Sequence, residues 1–414
     1  MYKTAGKLLF LWMGASAVSV GAELKTFPVP VPEKLPEVWN LKKLFQAPSC
    51  TPAPYYDEKK DPEIKPVFYS GLPYKGKPTK VFAWIGIPAK RKGKVPGIVL
   101  VHGGGGTAFK SWVKTWVDRG YAAIAMDLDG MIPVRPKGSK KGWQKHEKAG
   151  PGLRGNFQAA NIKKEDQWVY HAVADVILAH SLLLSLPEVD KDRTGITGIS
   201  WGGIFTNIVA GLDNRFKFAA PVYGCGFLGE DSFWQETVFQ KIGDDKVKRW
   251  LTLWDPGRYV GFTRLPMLYC NGTNDKHFRP SSWQKTYRLP KTPVTLALRV
   301  RMRHAHAPVG DPKEITVFAD SILKNGDPLP KITGQGIKEN SAWATFKSKV
   351  PVVKAELNYT KDSGPWRKRK WLTTKAVLSS QNQVTANLPG GTKACYFNIY
   401  DKRGCLVSSQ HICL

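Results

Sequence analysis

Gly198-Ile199-Ser200-Trp201-Gly202-Gly203 follows an apolar run, residues 194–199, and opens a stretch with apolar side chains at helical spacing, Ile204, Phe205, Ile208 and Val209. A serine between glycines where a strand turns into a helix has the pattern of a nucleophile elbow. The serine occupies a strained turn, and a side chain at either flanking glycine would collide with the adjoining strand or helix. The reading puts the Ser200 hydroxyl in the open, above the carboxyl end of a sheet. An idle serine in a glycine-rich turn is spelled with the same letters, so the rest of the chain must decide.

Working outward, residues 97–323 alternate short apolar runs with amphipathic stretches, the mark of a mostly parallel sheet with helices on both faces, an α/β fold. Strands are predicted at 97–101, 122–126, 194–199, 218–222, 266–269 and 294–300, nearly all apolar, as strands buried on both sides should be. A helix is predicted over 164–186, where Val169, Ala172, Val173, Val176, Ile177 and His180 recur at helical spacing. Residues 224–261, carrying Trp234, Phe239, Trp250 and Trp254, read as an excursion over the strand ends: a wall for a pocket, or the core of a lid. Ahead of the α/β region, 67–70 and 79–87 form a lead-in hairpin. Residues 23–66, rich in Pro as in Phe27-Pro28-Val29-Pro30-Val31-Pro32, form an extended leader draped over a domain.

The α/β domain spans 67–328. From 329 to 414 the helical signal stops, and alternating runs at 342–346, 352–359, 371–379, 383–388 and 394–400 predict a small all-β, immunoglobulin-like sandwich. Trp366 and Trp371 flank Arg367-Lys368-Arg369-Lys370, as surface aromatics for a sugar or anionic chain or, as is commoner in a sandwich, as core. Six cysteines are scattered without C-x-x-C spacing, so no zinc site is expected. A disulfide between Cys395 and Cys405, or from either to Cys413, is open on sequence alone.

The second chemical signal is His102-Gly103-Gly104-Gly105-Gly106, at the end of the 97–101 strand. A glycine loop leaves backbone N–H groups uncovered, as stabilising an oxyanion requires. Gly104 and, after the serine, Trp201 are the expected donors, with His102 orienting the loop. A phosphate loop is disfavoured, since neither G-K-[ST] nor G-x-G-x-x-G with a following acid is present. A serine needs a base, and the base needs a partner that holds its tautomer. Asn271-Gly272-Thr273-Asn274-Asp275 and Arg303-His304-Ala305-His306 each follow a predicted strand, supplying Asp275 and a histidine; His304 is preferred over His306. No metal and no organic cofactor are called for.

Residues 67–325 resemble the α/β-hydrolase superfamily, and within it the acetyl xylan esterase and dienelactone-hydrolase-like group, whose relatives include prolyl-oligopeptidase-type peptidases. The stretches that carry the resemblance are 101–109, Gly120-Tyr121-Ala122, 195–203, 271–275 and Met302-Arg303-His304-Ala305-His306. It implies Ser200 as nucleophile, Asp275 and His304 as its partners, and the Gly104 and Trp201 amides as oxyanion hole. The acetyl xylan esterase type usually has Gln after the serine and Glu after the histidine, where this chain has Trp201 and Ala305.

The start of the chain predicts export. Lys3 and Lys7 precede an apolar run over 8–20 and the small residues Val20-Gly21-Ala22, so 1–22 read as a signal peptide and the mature protein as secreted or periplasmic. No later stretch is expected to come near the length needed to span a bilayer. Net charge is +29, and from Lys331 onward there are 14 Lys+Arg against 4 Asp+Glu, so the excess is shared by both domains. No nucleic-acid motif accompanies it. The favoured reading is an esterase acting on an acylated carbohydrate, with an anionic polysaccharide fitting the charge. A peptidase is the second class, although its type usually carries a propeller that the roughly 45 residues between Ala22 and Val67 cannot make. A non-catalytic sugar-binding or envelope protein on the same scaffold is the third.

Overall fold

The computed structural model describes residues 24–53, 61–139 and 142–414; the expected signal peptide lies outside them. Chain order runs β1 (Cys50–Pro52), β2 (Ile64–Ser70), β3 (Lys80–Gly86), β4 (Val95–Val101), β5 (Ala122–Met126), a short hairpin of β6 (Met131–Ile132) and β7 (Gln144–Lys145), then β8 (Val189–Ile199), β9 (Phe218–Val222), β10 (Met267–Gly272) and β11 (Val294–Arg299). Nine of these form one sheet in the order β1-β2-β3-β5-β4-β8-β9-β10-β11. The first three pairings are antiparallel, and every pairing from β5 to β11 is parallel. Strands β4, β5, β9 and β10 are buried at every position, as strands covered on both faces must be. The architecture is that of an α/β-hydrolase.

The helices are α1 (Leu41–Leu44), α2 (Lys110–Asp118), α3 (Trp168–Ser185), α4 (Trp201–Leu212), α5 (Asp244–Trp254), α6 (Pro280–Tyr287) and α7 (Lys313–Leu323). Helix α3 starts later than the periodicity predicts, because residues 164–166 form a separate 3₁₀ turn. Contrary to the expectation that no later stretch approaches a membrane span, α3 has the length and hydropathy of one; it is nearly all buried inside the fold and reads as a core helix.

The stretch expected to be leader contributes to the sheet. β1 adds an edge strand and β2 begins at Ile64, with the Ala53 N–H donating to Pro66 O at 3.0 Å. The prolines sit at positions near the sheet edge, where a missing donor costs least. Upstream, the chain does lie across the domain: Phe27 N donates to Gly229 O at 2.7 Å, and the Trp39 indole donates to Tyr170 O at 2.8 Å.

The C-terminal part has β12 (Lys331–Lys338), β13 (Ser341–Lys347), β14 (Val352–Thr360), β15 (Trp371–Lys375), β16 (Val377–Leu378), β17 (Gln383–Asn387), β18 (Ala394–Asp401), β19 (Leu406–Ser408) and β20 (Ile412–Cys413). They form two antiparallel sheets, β12-β13-β17-β16 and β15-β14-β18-β19 with β20 on β18, consistent with a sandwich. The predicted strand 371–379 is two strands, one in each sheet, because the chain crosses over at Ala376, whose N–H donates to Ala355 O at 3.1 Å. Trp366 and Trp371 are buried and stacked on each other, so they are core.

All six cysteines are free. Cys405 lies opposite Asp401 across the turn, with Asp401 N donating to Cys405 O at 3.1 Å. Six residues of β18, about 20 Å of strand, therefore separate it from Cys395. Cys413 pairs with Ala394, so its side chain leaves the sheet on the face opposite to that of Cys395.

The sandwich also covers the last edge of the central sheet. Leu298 N of β11 donates to Ser408 Oγ at 2.8 Å, and Leu298 O accepts from Tyr396 and Asn398, each at 3.3 Å. An open edge strand is a site of unwanted pairing, and here side chains of β18 and β19 occupy it.

Candidate active site

The tip of β8 delivers Ser200 into a backbone conformation of φ 62°, ψ −114°, from which α4 starts at Trp201. The glycines make room for this turn. A Cβ on Gly198 would lie 2.3 Å from Gly202 O, and one on Gly202 only 2.0 Å from Val101 O at the end of β4. Ser200 Oγ is 2.9 Å from His304 Nε2, and His304 Nδ1 is 2.6 Å from Asp275 Oδ2. Asp275 follows β10 and His304 follows β11, so three strand ends bring the predicted residues into one hydrogen-bonded chain.

Asp275 is almost fully buried, and its other oxygen accepts from the N–H groups of His277 and Phe278, both at 2.8 Å. Burial pushes its carboxyl pKa up, but the His304 hydrogen bond, the His304 charge and these two N–H groups outweigh it and hold the pKa below the usual value. The carboxylate is thus kept charged, fit to orient an imidazole.

The structure brings His304, not His306, to Ser200. His306 Nε2 accepts the Gly103 N–H at 3.1 Å, and its ring packs on Phe109. Burial above all lowers its pKa to about 4, so it stays a neutral acceptor. His102 is used up within the fold: Nδ1 donates to Gly103 O at 2.8 Å and Nε2 accepts from Leu128 N at 3.0 Å. The two imidazoles hold the glycine loop in shape. Among the described residues, the N–H groups of Gly104 and Trp201 have no acceptor. The loop lies against the elbow, since a Cβ on Gly104 would meet the Trp201 indole at 2.9 Å.

A His306→Ala variant should therefore act through the loop. Stranding the buried Gly103 N–H costs about 1–3 kcal/mol, so a lower melting temperature and a kcat reduced by about tenfold are expected. The pH dependence of kcat/KM should not change; a displaced profile would show that His306 exchanges protons during turnover.

Two further residues shape the site, of which His277 was not assigned a role from sequence. Tyr223, at φ 62°, stacks on His304 with ring centres 4.4 Å apart and donates its hydroxyl to Arg303 O at 2.6 Å. His277 lies 4.7 Å from the His304 ring, and its buried Nδ1 has no partner. Burial first, then the His304 charge, lowers the His277 pKa to about 4. The two-residue step from Asp275 to His277, an Asx turn closed by the backbone N–H, is the signal that could have found it. From the predicted aromatic excursion, Trp234 reaches this region, 5.3 Å from Trp201 and 5.1 Å from Phe278. Trp250 and Trp254 are fully buried and hydrogen-bonded to Asn156 and Gln167, which makes them core.

Asp275, His277 and His304 present ligand-type atoms within 4.8 Å of one another. Both Asp275 oxygens and both His304 nitrogens are already engaged, leaving His277 as the one residue of the three free to ligate. Three spare ligands are the usual minimum for a metal, and this donor set does not reach it.

Residues 24–255, more than half of the chain, match the family model described as acetyl xylan esterase (AXE1). The chain belongs to the acetyl xylan esterase family. The matched span contains Ser200 and the 102–106 loop and ends before Asp275 and His304, so Trp201 is a variation inside the family pattern. Among solved structures, this family member is similar to acetyl xylan esterase from Paenibacillus sp. R4, with 21% identity, TM-score 0.52, and coverage of 69% of this chain and 92% of that one. It is likewise similar to acetyl xylan esterase 1 from Thermoanaerobacterium sp. JW/SL YS485, with 18% identity, TM-score 0.51, and coverage of 68% and 92%. At such identities the likeness speaks for the fold. Among curated sequences, the uncharacterized peptidase YuxL of Bacillus subtilis is 27% identical over 208 residues, 47% of this chain and 28% of that protein. A probable dipeptidyl-peptidase 5 of Aspergillus clavatus is 28% identical over 178 residues, 42% of this chain and 22% of that protein. The matches span less than a third of those two proteins.

Proposed function

We propose that the protein is an exported serine esterase that removes acetyl or similar acyl groups from polysaccharide. Ser200 Oγ attacks the ester carbonyl as His304 Nε2 takes its proton, and the Gly104 and Trp201 N–H groups receive the oxyanion. The protonated His304 gives its proton to the departing sugar hydroxyl, leaving an acyl-Ser200. Water, deprotonated by the same nitrogen, attacks the acyl carbon, acetate departs, and Ser200 recovers its proton. Asp275 stays ionised throughout and holds Nδ1–H of His304 in place. The observation that carries the reading is the unbroken Ser200–His304–Asp275 hydrogen-bonded chain at the strand ends of a family member.

Acetate release from acetylated xylan, measured beside hydrolysis of proline-p-nitroanilide, tests the class. Turnover of the first without the second is expected. The reverse would replace the esterase with a peptidase, the class to which the two curated relatives belong by name. Export rests on residues 1–22, and recovery of a chain beginning at Glu23 from the periplasm or medium checks it.

A further inference from the structure

Beside the triad, a cavity of about 530 Å³ opens between the hydrolase domain and the sandwich. Its walls are Asn274–Lys276 and Arg301–His304 on one side and Arg367–Lys370 on the other. Seven of these side chains are cationic: Lys276, Arg301, Arg303, Arg367, Lys368, Arg369 and Lys370. The acidic lining residue is Asp275, and both its oxygens are engaged by His304 and the two backbone N–H groups. Among the described residues, only Arg367 of the seven has an ion-pair partner, Glu236 at 3.8 Å.

The basic loop is anchored. Asn274 Nδ2 donates to the carbonyls of Trp366, Arg367 and Arg369 at 3.1, 3.3 and 2.8 Å, tying the loop to the residue next to Asp275. Below it, Trp366 is buried, with the Arg369 guanidinium 3.7 Å over its ring and donating to Gly364 O at 2.7 Å. A loop fixed in this way loses little freedom when it binds, which favours affinity. Like charges crowded into one cleft repel each other, and a bound anion relieves that repulsion. Guanidinium and ammonium groups suit the oxygens of carboxylate and sulfate.

We infer that this cleft binds a carboxylate or sulfate group on the glycan that carries the scissile ester, so that the substrate is an acidic polysaccharide. The inference rests on the esterase reading and deepens it. His304 both lines the cleft and hydrogen-bonds Ser200, so an anion held there belongs to a sugar close to the one being deacylated. A nucleic acid is the weaker fit, because no aromatic side chain other than His304 lines the cleft to stack a base.

The test compares kcat/KM for acetate release from acetylated polygalacturonate, acetylated sulfated xylan and acetylated neutral xylan, at matched acetyl concentration. The wild-type protein and a Lys276→Gln/Arg303→Gln/Lys368→Gln/Lys370→Gln variant are used. The wild type should prefer one acidic polymer over the neutral one by about tenfold, and the variant should lose that preference. The acidic arm that responds tells carboxylate from sulfate. The preference should also shrink in 0.5 M NaCl, where screening is short-ranged. Equal rates on all three polymers, or the same preference in both proteins, overturn the inference. So does inhibition by short single-stranded RNA at concentrations where oligogalacturonate has no effect. Ser200-dependent turnover of p-nitrophenyl acetate, read separately, keeps a failed anion site distinct from a failed esterase.

Discussion

Replacing Ser200 by alanine is expected to remove ester hydrolysis while leaving the fold in place. The Ser200 hydroxyl has one side-chain partner, His304 Nε2 at 2.9 Å, so its loss strands no buried donor elsewhere. Ala at φ 62° bears the same backbone strain as Ser, since the Cβ that causes it is common to both. Thermal unfolding should therefore shift by no more than a few degrees. Activity is another matter. Without the oxygen no acyl-enzyme forms, and the residual rate is what the oxyanion donors and binding supply; removing such a nucleophile costs roughly 10⁴–10⁶ in kcat. His304→Ala should fall as far, and the double variant hardly further, because the two act as one unit. Release of p-nitrophenol from p-nitrophenyl acetate, read beside circular-dichroism melting, is the measurement. Turnover within tenfold of wild type in a folded Ser200→Ala protein would remove Ser200 from the mechanism.

Much of this site could be read before any coordinates because its parts are backbone features. The glycines around Ser200 and the run from Gly103 to Gly106 are written into the chain by close contacts and open N–H groups, and such constraints restrict sequence position by position. Asp275 and His304 are legible for a different reason, each lying just past a strand whose apolar run is conspicuous. Other features depend on distant partners. His304 and His306 both follow β11, and spacing cannot separate them; the distinction arises from Gly103, which engages His306 across the fold. His277 and Tyr223 owe their importance to stacking on His304 from two other loops. The run Arg367-Lys368-Arg369-Lys370 was plain in the sequence, but its meeting with Asn274 was not, since nothing local ties a sandwich loop to the turn after β10. The crossing at Ala376 was missed because alternation continues on both sides of it, and alternation reports a pleat without saying which sheet holds it.

The same close contacts make Gly202→Ala the substitution with the largest expected effect on stability. Its new Cβ would sit 2.0 Å from Val101 O and 2.7 Å from His102 O, both backbone atoms. Neither can swing aside. β4 is held by β5 on one side and β8 on the other, and α4 is held by the turn that raises Ser200. Relief requires α4 to move off the sheet, which opens a gap around Ile204 and Phe205, both fully buried. Overpacking of this kind costs at least about 3 kcal/mol, a drop in melting temperature of at least roughly 4 °C for a chain of this size. Gly364→Ala is the control, with no atom within 4 Å of its added Cβ, and it should stay within about 0.5 kcal/mol of wild type. Any Gly202→Ala protein that does fold should be inactive, because α4 cannot move without carrying the Trp201 N–H and the Ser200 oxygen away from His304. A variant that melts with the wild type and turns over p-nitrophenyl acetate would mean that β4 and α4 approach less closely than the glycine contacts require.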